Sequence, residues 1–249
     1  MAGALAGKVA LVTGAGRNIG RAIALLLARD GATVVVNGRS DRAAVDAVVA
    51  EIQAAGGRAH GWMADVADEP AVARMMAGVT AELGGLDILV SNAGLRRQTA
   101  FLEMDYAEWR EILSVALDGA FLTARAAAPS MVARGGGAIV ALSGISTHLG
   151  TPNRCHVSAS KAGLEGLMRA LAVELGPHGV RCNCVAPGPV DTQRGASAGP
   201  MPTGLLDGIP LGRKASVDDI AAAVRYLVGP EGAYVNGQTL HLNGGMYLT

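Results

Sequence analysis

The stretch that decides the fold runs from Lys8 to Gly20 and reads K-V-A-L-V-T-G-A-G-R-N-I-G. Its first half is a short run of apolar and β-branched residues, which predicts a buried strand. Its second half is a glycine-rich turn, and an apolar helical stretch follows from Gly20 to Arg29. Between a strand and a helix, such a turn lets backbone N–H groups and the helix N-terminus face a pyrophosphate. The stretch therefore predicts a dinucleotide site at the first strand–helix junction.

The rest of the chain repeats this alternation of short apolar strands and longer helices. This pattern predicts a single doubly wound, Rossmann-type α/β domain over residues 1–249, with about seven parallel strands and helices on both faces. The segment Gly188 to Arg213 departs from the pattern, because it is long, irregular and rich in Gly, Ala, Pro and Ser. We expect it to form a substrate lid. Strands are predicted at 8–13, 32–37, 59–65, 86–91, 138–143, 180–186 and 239–242, and helices at 20–29, 41–55, 69–83, 106–134, 154–175 and 217–228.

Composition and charge narrow the class of protein. Lys and Arg number 21 and Asp and Glu number 21, so the absence of a basic excess argues against nucleic-acid binding. The chain has no run of 18 apolar residues, so no membrane-spanning helix is predicted. The N-terminus has no basic region ahead of an apolar stretch, so no signal peptide is predicted either. The spacing of the three cysteines indicates neither a disulfide framework nor a metal site, so we expect reduced thiols in a cytoplasmic protein.

Several motifs resemble those of the short-chain dehydrogenase/reductase family, and the resemblance covers essentially the whole chain. The family's opening motif is T-G-x-x-x-G-x-G, and this sequence supplies Thr13, Gly14 and Gly20 but has Asn18 at the middle glycine. Asn tolerates a positive φ better than most residues, so we expect the turn to be preserved.

Further motifs extend the resemblance along the carboxyl ends of the strands. Ser91-Asn92-Ala93-Gly94 matches the segment after the fourth strand, Asp65-Val66 matches the acidic pair at the adenine, and Pro187-Gly188 with Thr192 matches the segment that holds the nicotinamide carboxamide. The predicted cofactor site consists of Gly14, Arg17, Asn18, Ile19, Gly20, Arg39, Ser40, Asp65, Val66, Asn92, Ala93, Gly94, Lys161, Pro187, Gly188, Val190 and Thr192.

The residues after the second strand favour NADP(H) over NAD(H). An acidic residue there accepts hydrogen bonds from the ribose 2′-OH and selects NAD, but this strand ends in V-V-V-N-G-R-S with no acid before Asp41. Arg39 follows the strand, and Arg17 in the glycine-rich turn adds a second positive charge. Arginine pairs suit phosphate recognition. The alternative is that both arginines simply face solvent.

The family's four catalytic residues are mostly missing. The resemblance implies a Tyr that transfers the proton, a Lys that lowers its pKa and binds the nicotinamide ribose, a Ser that orients the carbonyl and an Asn that holds a relay water. Lys161 is the Lys. Val157 stands at the Tyr position four residues earlier, Gly144 at the Ser position and Ala116 at the Asn position. The usual proton relay is therefore not available.

The loop after the fifth predicted strand offers replacements. Ser146 and His148 lie there, at the sheet edge where open α/β sheets bind ligands. His148 is a candidate acid near neutral pH, and Ser146 is a candidate donor to a carbonyl. The alternative is an ordinary exposed loop histidine. Four weaker candidates are His156, Cys155, Asp118 and, in the lid, Arg194.

Three functions follow as alternatives. The first is an NADP(H)-dependent oxidoreductase acting on a small-molecule ketone or conjugated carbonyl. H-V-S-A-S-K and V-A-L-D-G-A-F resemble the branch with 2,4-dienoyl-CoA reductases, which also lack this Tyr. The others are a catalytically silent nucleotide-binding protein and a non-redox lyase or isomerase.

Apolar residues over wide arcs of helices 106–134 and 154–175 also predict a homotetramer or homodimer.

Overall fold

The computed structural model describes residues 3–193 and 208–248 and is built around one seven-stranded sheet. All the strand pairings are parallel, and the strand order is β3-β2-β1-β4-β5-β6-β7. The order reverses between β1 and β4, and ligands bind in the crevice at such a switch point. The strands are β1 (Val9–Val12), β2 (Thr33–Gly38), β3 (Arg58–Met63), β4 (Ile88–Ser91), β5 (Gly137–Leu142), β6 (Val180–Pro187) and β7 (Thr239–Leu242).

Helices cover both faces of the sheet, which confirms the predicted single-domain Rossmann-type fold. Helices α1, α2 and α8 pack into one core layer, and α3, α5 and α7 pack into the other. Burial on both faces explains why the central strands β1, β4 and β5 are nearly continuous apolar runs and do not alternate. The helices are α1 (Asn18–Arg29), α2 (Arg42–Ala54), α3 (Glu69–Leu83), α4 (Tyr106–Leu113), α5 (Gly119–Ala133), α6 (Ser146–Leu149), α7 (Cys155–Leu175) and α8 (Val217–Val228).

Two elements differ from the sequence prediction. The predicted long helix is interrupted by a π-helical segment, Ser114–Asp118, between α4 and α5. Segments of this kind are frequent at functional sites, and this one contains Ala116. The predicted loop after β5 contains the helical turn α6, so Ser146 and His148 are separated by part of one turn.

The composite helix Tyr106–Ala133 has the length and apolar composition of a membrane-crossing helix. The core helices of soluble proteins meet the same criterion, and 44% of its most apolar window is buried within this fold. Its inner face packs with α3 and α7 in the second core layer. Its length and composition alone therefore do not identify it as a membrane-spanning helix.

Candidate active site

The glycine-rich turn has the backbone geometry that the sequence predicted. Gly14 has a φ of 61° and Asn18 a φ of 50°, so Asn18 adopts the left-handed conformation expected of it. A Cβ on Gly20 would lie 2.5 Å from the Gly14 carbonyl oxygen, which leaves no room for a side chain. Arg17 precedes α1, and its side chain makes no capping hydrogen bond to the helix N-terminus. This turn fits a pyrophosphate.

Asn18 also links the two sides of the cofactor cleft. Its amide donates to the Gln193 carbonyl at 3.1 Å and accepts from the Gln193 backbone N–H at 3.0 Å. The residue that replaces the family's middle glycine therefore joins the turn to the segment after β6. Sequence reasoning missed this contact, because the two residues are 175 positions apart.

Asn92 shapes the cleft by fixing the neighbouring strand end. Its side-chain amide donates to the carbonyls of Thr13 at 2.9 Å and Gly14 at 3.1 Å. The Thr13 hydroxyl in turn accepts from the backbone N–H groups of Asn92 and Ala93, both at 3.0 Å. These bonds hold the ends of β1 and β4 together beside the glycine-rich turn.

The predicted adenine end of the cofactor site has exposed polar residues and one buried side chain. Arg39 and Ser40 follow β2 and are exposed, and the Arg39 guanidinium lies 3.9 Å from the Asp65 carboxylate. Arg17 is exposed as well. Val66 is buried, and a Cβ on Gly119 would lie 2.7 Å from its side chain. The Val66 side chain is therefore packed against the start of α5.

At the predicted nicotinamide end, the segment after β6 continues along the sheet edge. Gly188 donates its backbone N–H to the Leu242 carbonyl at 2.7 Å, and Val190 forms a bridge with Ala215. Pro187 ends β6, and Thr192 lies two residues beyond the bridge. Residues 194–207, which include Arg194 and the middle of the predicted lid, lie outside the described residues.

Lys161 is the retained member of the family's catalytic set. Its ammonium donates to the Leu142 carbonyl at 2.6 Å and lies 3.4 Å from the position of a Cβ on Gly94. Burial and, to a smaller extent, the positive charge of Arg96 lower the pKa of Lys161 to about 8. The family motifs on α7 and after β4 therefore meet at this point.

The three replaced positions contribute no polar side chain to the site. Val157 is buried one turn before it on α7, and Ala116 is buried in the π-helical segment. Gly144 follows β5, and a Cβ there would have one neighbour within 4 Å, the Ser146 hydroxyl oxygen at 3.8 Å. The Ser146 hydroxyl thus lies beside the space that a serine at position 144 would fill.

His148 is not an exposed loop histidine. Its Nε2 lies 3.0 Å from Oε1 of Glu165, and its side chain is 22% exposed. The ring stacks on Tyr247 with centroids 5.1 Å apart and meets His241 edge-on at 4.6 Å. The alternative of a solvent-facing ring is therefore wrong.

Glu165 is the residue that sequence reasoning missed. The same Oε1 accepts hydrogen bonds from the Ser143 hydroxyl at 2.6 Å and from Thr147 at 3.4 Å. Its position four residues after Lys161 was the available signal, because that spacing places it on the same helix face, toward the sheet.

The weaker candidates have structural partners. His156 is fully buried and its Nε2 lies 3.0 Å from Glu108. The Cys155 thiol contacts the Met104 sulfur at 3.9 Å, and Asp118 pairs with Arg110 at 3.4 Å.

Comparisons with known proteins agree with this geometry. The chain matches the family described as enoyl-(acyl carrier protein) reductase over residues 14–247. It is 40% identical over 242 residues to the 3-oxoacyl-(acyl-carrier-protein) reductase FabG of Staphylococcus aureus, covering 97% of this chain and 98% of that protein. It is 37% identical over 243 residues to the enzyme of the same name from Escherichia coli, covering 97% and 98%.

Two solved structures have the same fold. A 7α-hydroxysteroid dehydrogenase complexed with NADH and 7-oxo-glycochenodeoxycholic acid superposes with a TM-score of 0.92 at 33% identity, covering 97% of this chain and 94% of that one. A dehydrogenase/reductase from Sinorhizobium meliloti 1021 superposes with a TM-score of 0.91 at 36% identity, covering 98% and 96%.

Proposed function

Because the chain belongs to the short-chain dehydrogenase/reductase family, and is therefore an oxidoreductase, we propose that it reduces a ketone or conjugated carbonyl with NADPH. The observation that carries this proposal is the position of Lys161. Its ammonium lies beside Gly94 at the carboxyl edge of the sheet, next to the glycine-rich turn. A nicotinamide bound along this edge would supply the hydride.

The preference for the 2′-phosphorylated cofactor rests on charge. Arg39 and Ser40 follow β2 directly, and Arg17 adds a second exposed cation in the glycine-rich turn. A phosphate receives charge-assisted hydrogen bonds from such guanidinium groups. Arg39 is 3.9 Å from Asp65, an exposed pair that is weak enough to reorganise around a ligand.

The named activities of the relatives indicate the substrate class. Two of them are called 3-oxoacyl-(acyl-carrier-protein) reductases, and a structural neighbour was solved with a 7-oxo steroid. Each name contains a ketone. A 3-oxoacyl thioester is therefore our first candidate substrate, and a conjugated carbonyl is the second.

Three residues take the roles of the family's usual four catalytic residues. Lys161 binds the cofactor ribose, the Ser146 hydroxyl donates a hydrogen bond to the substrate oxygen, and His148 gives the proton. When hydride reaches the substrate carbon, negative charge develops on the oxygen, and these donors stabilise it. Imidazole is suited to the proton step near neutral pH.

We propose that the protein associates into a homotetramer or homodimer. An open groove of about 620 Å³ runs between α5 and α7 and is mostly apolar, with Phe121 half exposed at its edge. An isologous contact would cover this groove on both copies. The groove is lined by Phe121, Ala124, Arg125, Ala128, Pro129, Val132, Ala133, Leu171, Glu174, Leu175 and His178.

A cytoplasmic location and a lid at residues 188–213 complete the proposal. The location is supported by three free thiols at Cys155, Cys182 and Cys184, as expected in a reducing compartment. The lid is supported by the hydrogen bonds between Asn18 and Gln193, which bring the start of this segment to the cofactor turn.

Two measurements in sequence test the function. NADPH and NADH binding are followed by cofactor fluorescence, and NADPH oxidation is then measured with 3-oxoacyl thioesters, simple ketones and enones. Tight NADPH binding with turnover of a carbonyl substrate is the expected result. Binding without turnover across the panel would instead favour a silent subunit, and absence of binding would favour a non-redox enzyme.

A further inference from the structure

We infer that Glu165 is a positioning residue, whose buried carboxylate pairs with Nε2 of His148 and holds the imidazole in the orientation from which it gives its proton to the substrate. This inference rests on the proposed role of His148. The family's usual set of four catalytic residues does not include an acid at this position.

The hydrogen bonds converge on one oxygen atom of Glu165. Oε1 accepts from the Ser143 hydroxyl at 2.6 Å, faces His148 Nε2 at 3.0 Å and accepts from Thr147 at 3.4 Å. Ser143 follows β5, and the other two residues lie on α6. Glu165 therefore connects α7 to the turn that carries both proposed donors.

Burial makes a positive partner valuable to this carboxylate. The Glu165 side chain is 6% exposed, and a buried charge is costly without pairing. Arg169 lies 3.9 Å from its other oxygen but is 59% exposed, so water screens much of that attraction. The imidazole of His148, at 3.0 Å, is the closer partner for a positive charge.

The pairing also selects the nitrogen that transfers the proton. Because Nε2 is directed at Glu165, Nδ1 is the nitrogen that can pass a proton to the substrate oxygen. As hydride reaches the carbon and the cofactor is oxidised, the Nδ1–H bond breaks and an O–H bond forms. His148 is left neutral with Nε2–H donated to Glu165, and solvent reprotonates Nδ1. Glu165 itself never loses or gains a proton.

Two of the titratable groups near His148 and Glu165, the His241 imidazole and the Cys184 thiol, do not supply a competing charge. Burial lowers the pKa of His241, and the positive charge of His148 lowers it further, so His241 stays neutral near pH 7. Tyr247 stacks on the ring. Burial and the Glu165 carboxylate raise the pKa of the Cys184 thiol on β6 to about 12, so it is neutral too. Lys161, one turn away on α7, and Arg169 are the cations on the helix that carries Glu165.

Glu165→Gln tests the inference, because an amide oxygen can still accept from Ser143 and Thr147 but carries no charge. The expected result is that the pH at which kcat falls by half on the alkaline side moves down by about 1–3 units. Near pH 7.5, kcat should fall about tenfold or more, while the Kd for NADPH stays within about twofold. The NMR titration midpoint of the His148 ring, identified by its loss in His148→Ala, should move down with it.

Glu82→Gln is the matched control, because it makes the same change in another carboxylate that faces a histidine. Glu82 lies 3.9 Å from His60 in an exposed pair, and neither residue belongs to the candidate active site. This control variant should leave the pH dependence of kcat unchanged. A Glu165→Gln protein with the wild-type kcat profile and wild-type His148 midpoint would overturn the inference. If His148→Ala is fully active, the proposed donor fails instead, which separates the two proposals.

A second measurement needs no variant and covers the case in which Glu165→Gln does not fold. Nitrogen NMR of the wild-type protein, above the titration range of His148, reports which ring nitrogen holds the remaining proton. The inference predicts the proton on Nε2, bonded to Glu165. A proton on Nδ1 would overturn it.

Discussion

The hydroxyl oxygen of Ser146 lies 3.8 Å from the position that a Cβ on Gly144 would take, and that space is otherwise open. Position 144 is where the family carries its carbonyl-orienting serine. Gly144 lacks the hydroxyl that the family has at this position. Ser146, two residues later on the helical turn α6, places a hydroxyl beside the same space.

Ser146→Ala should lower kcat by roughly 10²–10³ with the proposed substrate, as loss of one donor to a developing oxyanion does. Adding Gly144→Ser to that variant should recover much of the loss, because the space at 144 is open and its φ is not in the left-handed region. Steady-state kinetics of the two variants check this. A Ser146→Ala enzyme with wild-type kcat would show that the hydroxyl does not contact the substrate.

Arg39→Asp should weaken NADPH binding about tenfold to a hundredfold and improve NADH relative to NADPH, because a charge-assisted phosphate contact contributes about 1.5–3 kcal/mol. Fluorescence titration with both cofactors measures the ratio. Arg58→Asp makes the same charge change at the other end of the same pair of strands and should leave both affinities unchanged. Unaltered NADPH affinity in Arg39→Asp would contradict the cofactor assignment.

Lys161→Met should stabilise the protein without cofactor while damaging cofactor binding. The pKa of Lys161 is about 8 in the fold against 10.5 as its ordinary value, so the unfolded chain binds more protons between these limits. The buried charge therefore destabilises the fold below pH 8, and this penalty is lost as the pH rises toward 10.5.

Denaturant unfolding near pH 7 should show Lys161→Met more stable by about 1–3 kcal/mol, after allowing for the lost bond to Leu142. The difference should shrink by pH 10. A variant less stable than wild type at neutral pH would mean that the ammonium stabilises the fold through Leu142 more than its burial costs.

Phe121→Asp should break the proposed self-association, because it places a charge at the edge of the groove between α5 and α7. Light scattering at micromolar concentration should then give about 25 kDa, the mass of one chain, while wild type gives a multiple of it. Tyr234→Asp, at an exposed aromatic outside this groove, is the control and should keep the wild-type mass. A wild-type protein that scatters as one chain would contradict the proposal.

The fold could be predicted because its signals are local. Buried β-branched runs and the glycine-rich turn gave the strands and the cofactor end, and even the left-handed Asn18 followed from its own conformational preference. The π-helical segment 114–118 could not be predicted, because it and α5 carry apolar and small residues on most sides, so a one-residue shift in the helical phase leaves no clear signal in the sequence.

The catalytic end was harder to predict because its contacts join distant residues. His148 was a candidate by type and place, but its partner Glu165 is 17 residues away on another helix. His241 and Tyr247, which pack on its ring, come from the last strand and the segment after it. Sequence spacing alone relates none of these groups to one another.

The most direct test of the account is the turnover of His148→Ala beside its binding of NADPH. The account predicts an unchanged Kd for NADPH and a kcat lower by about 10²–10⁴, since only the proton step is affected. His60→Ala removes an exposed imidazole on β3 and serves as the control with wild-type turnover. A His148→Ala enzyme as active as wild type would contradict the claim that this turn replaces the missing tyrosine.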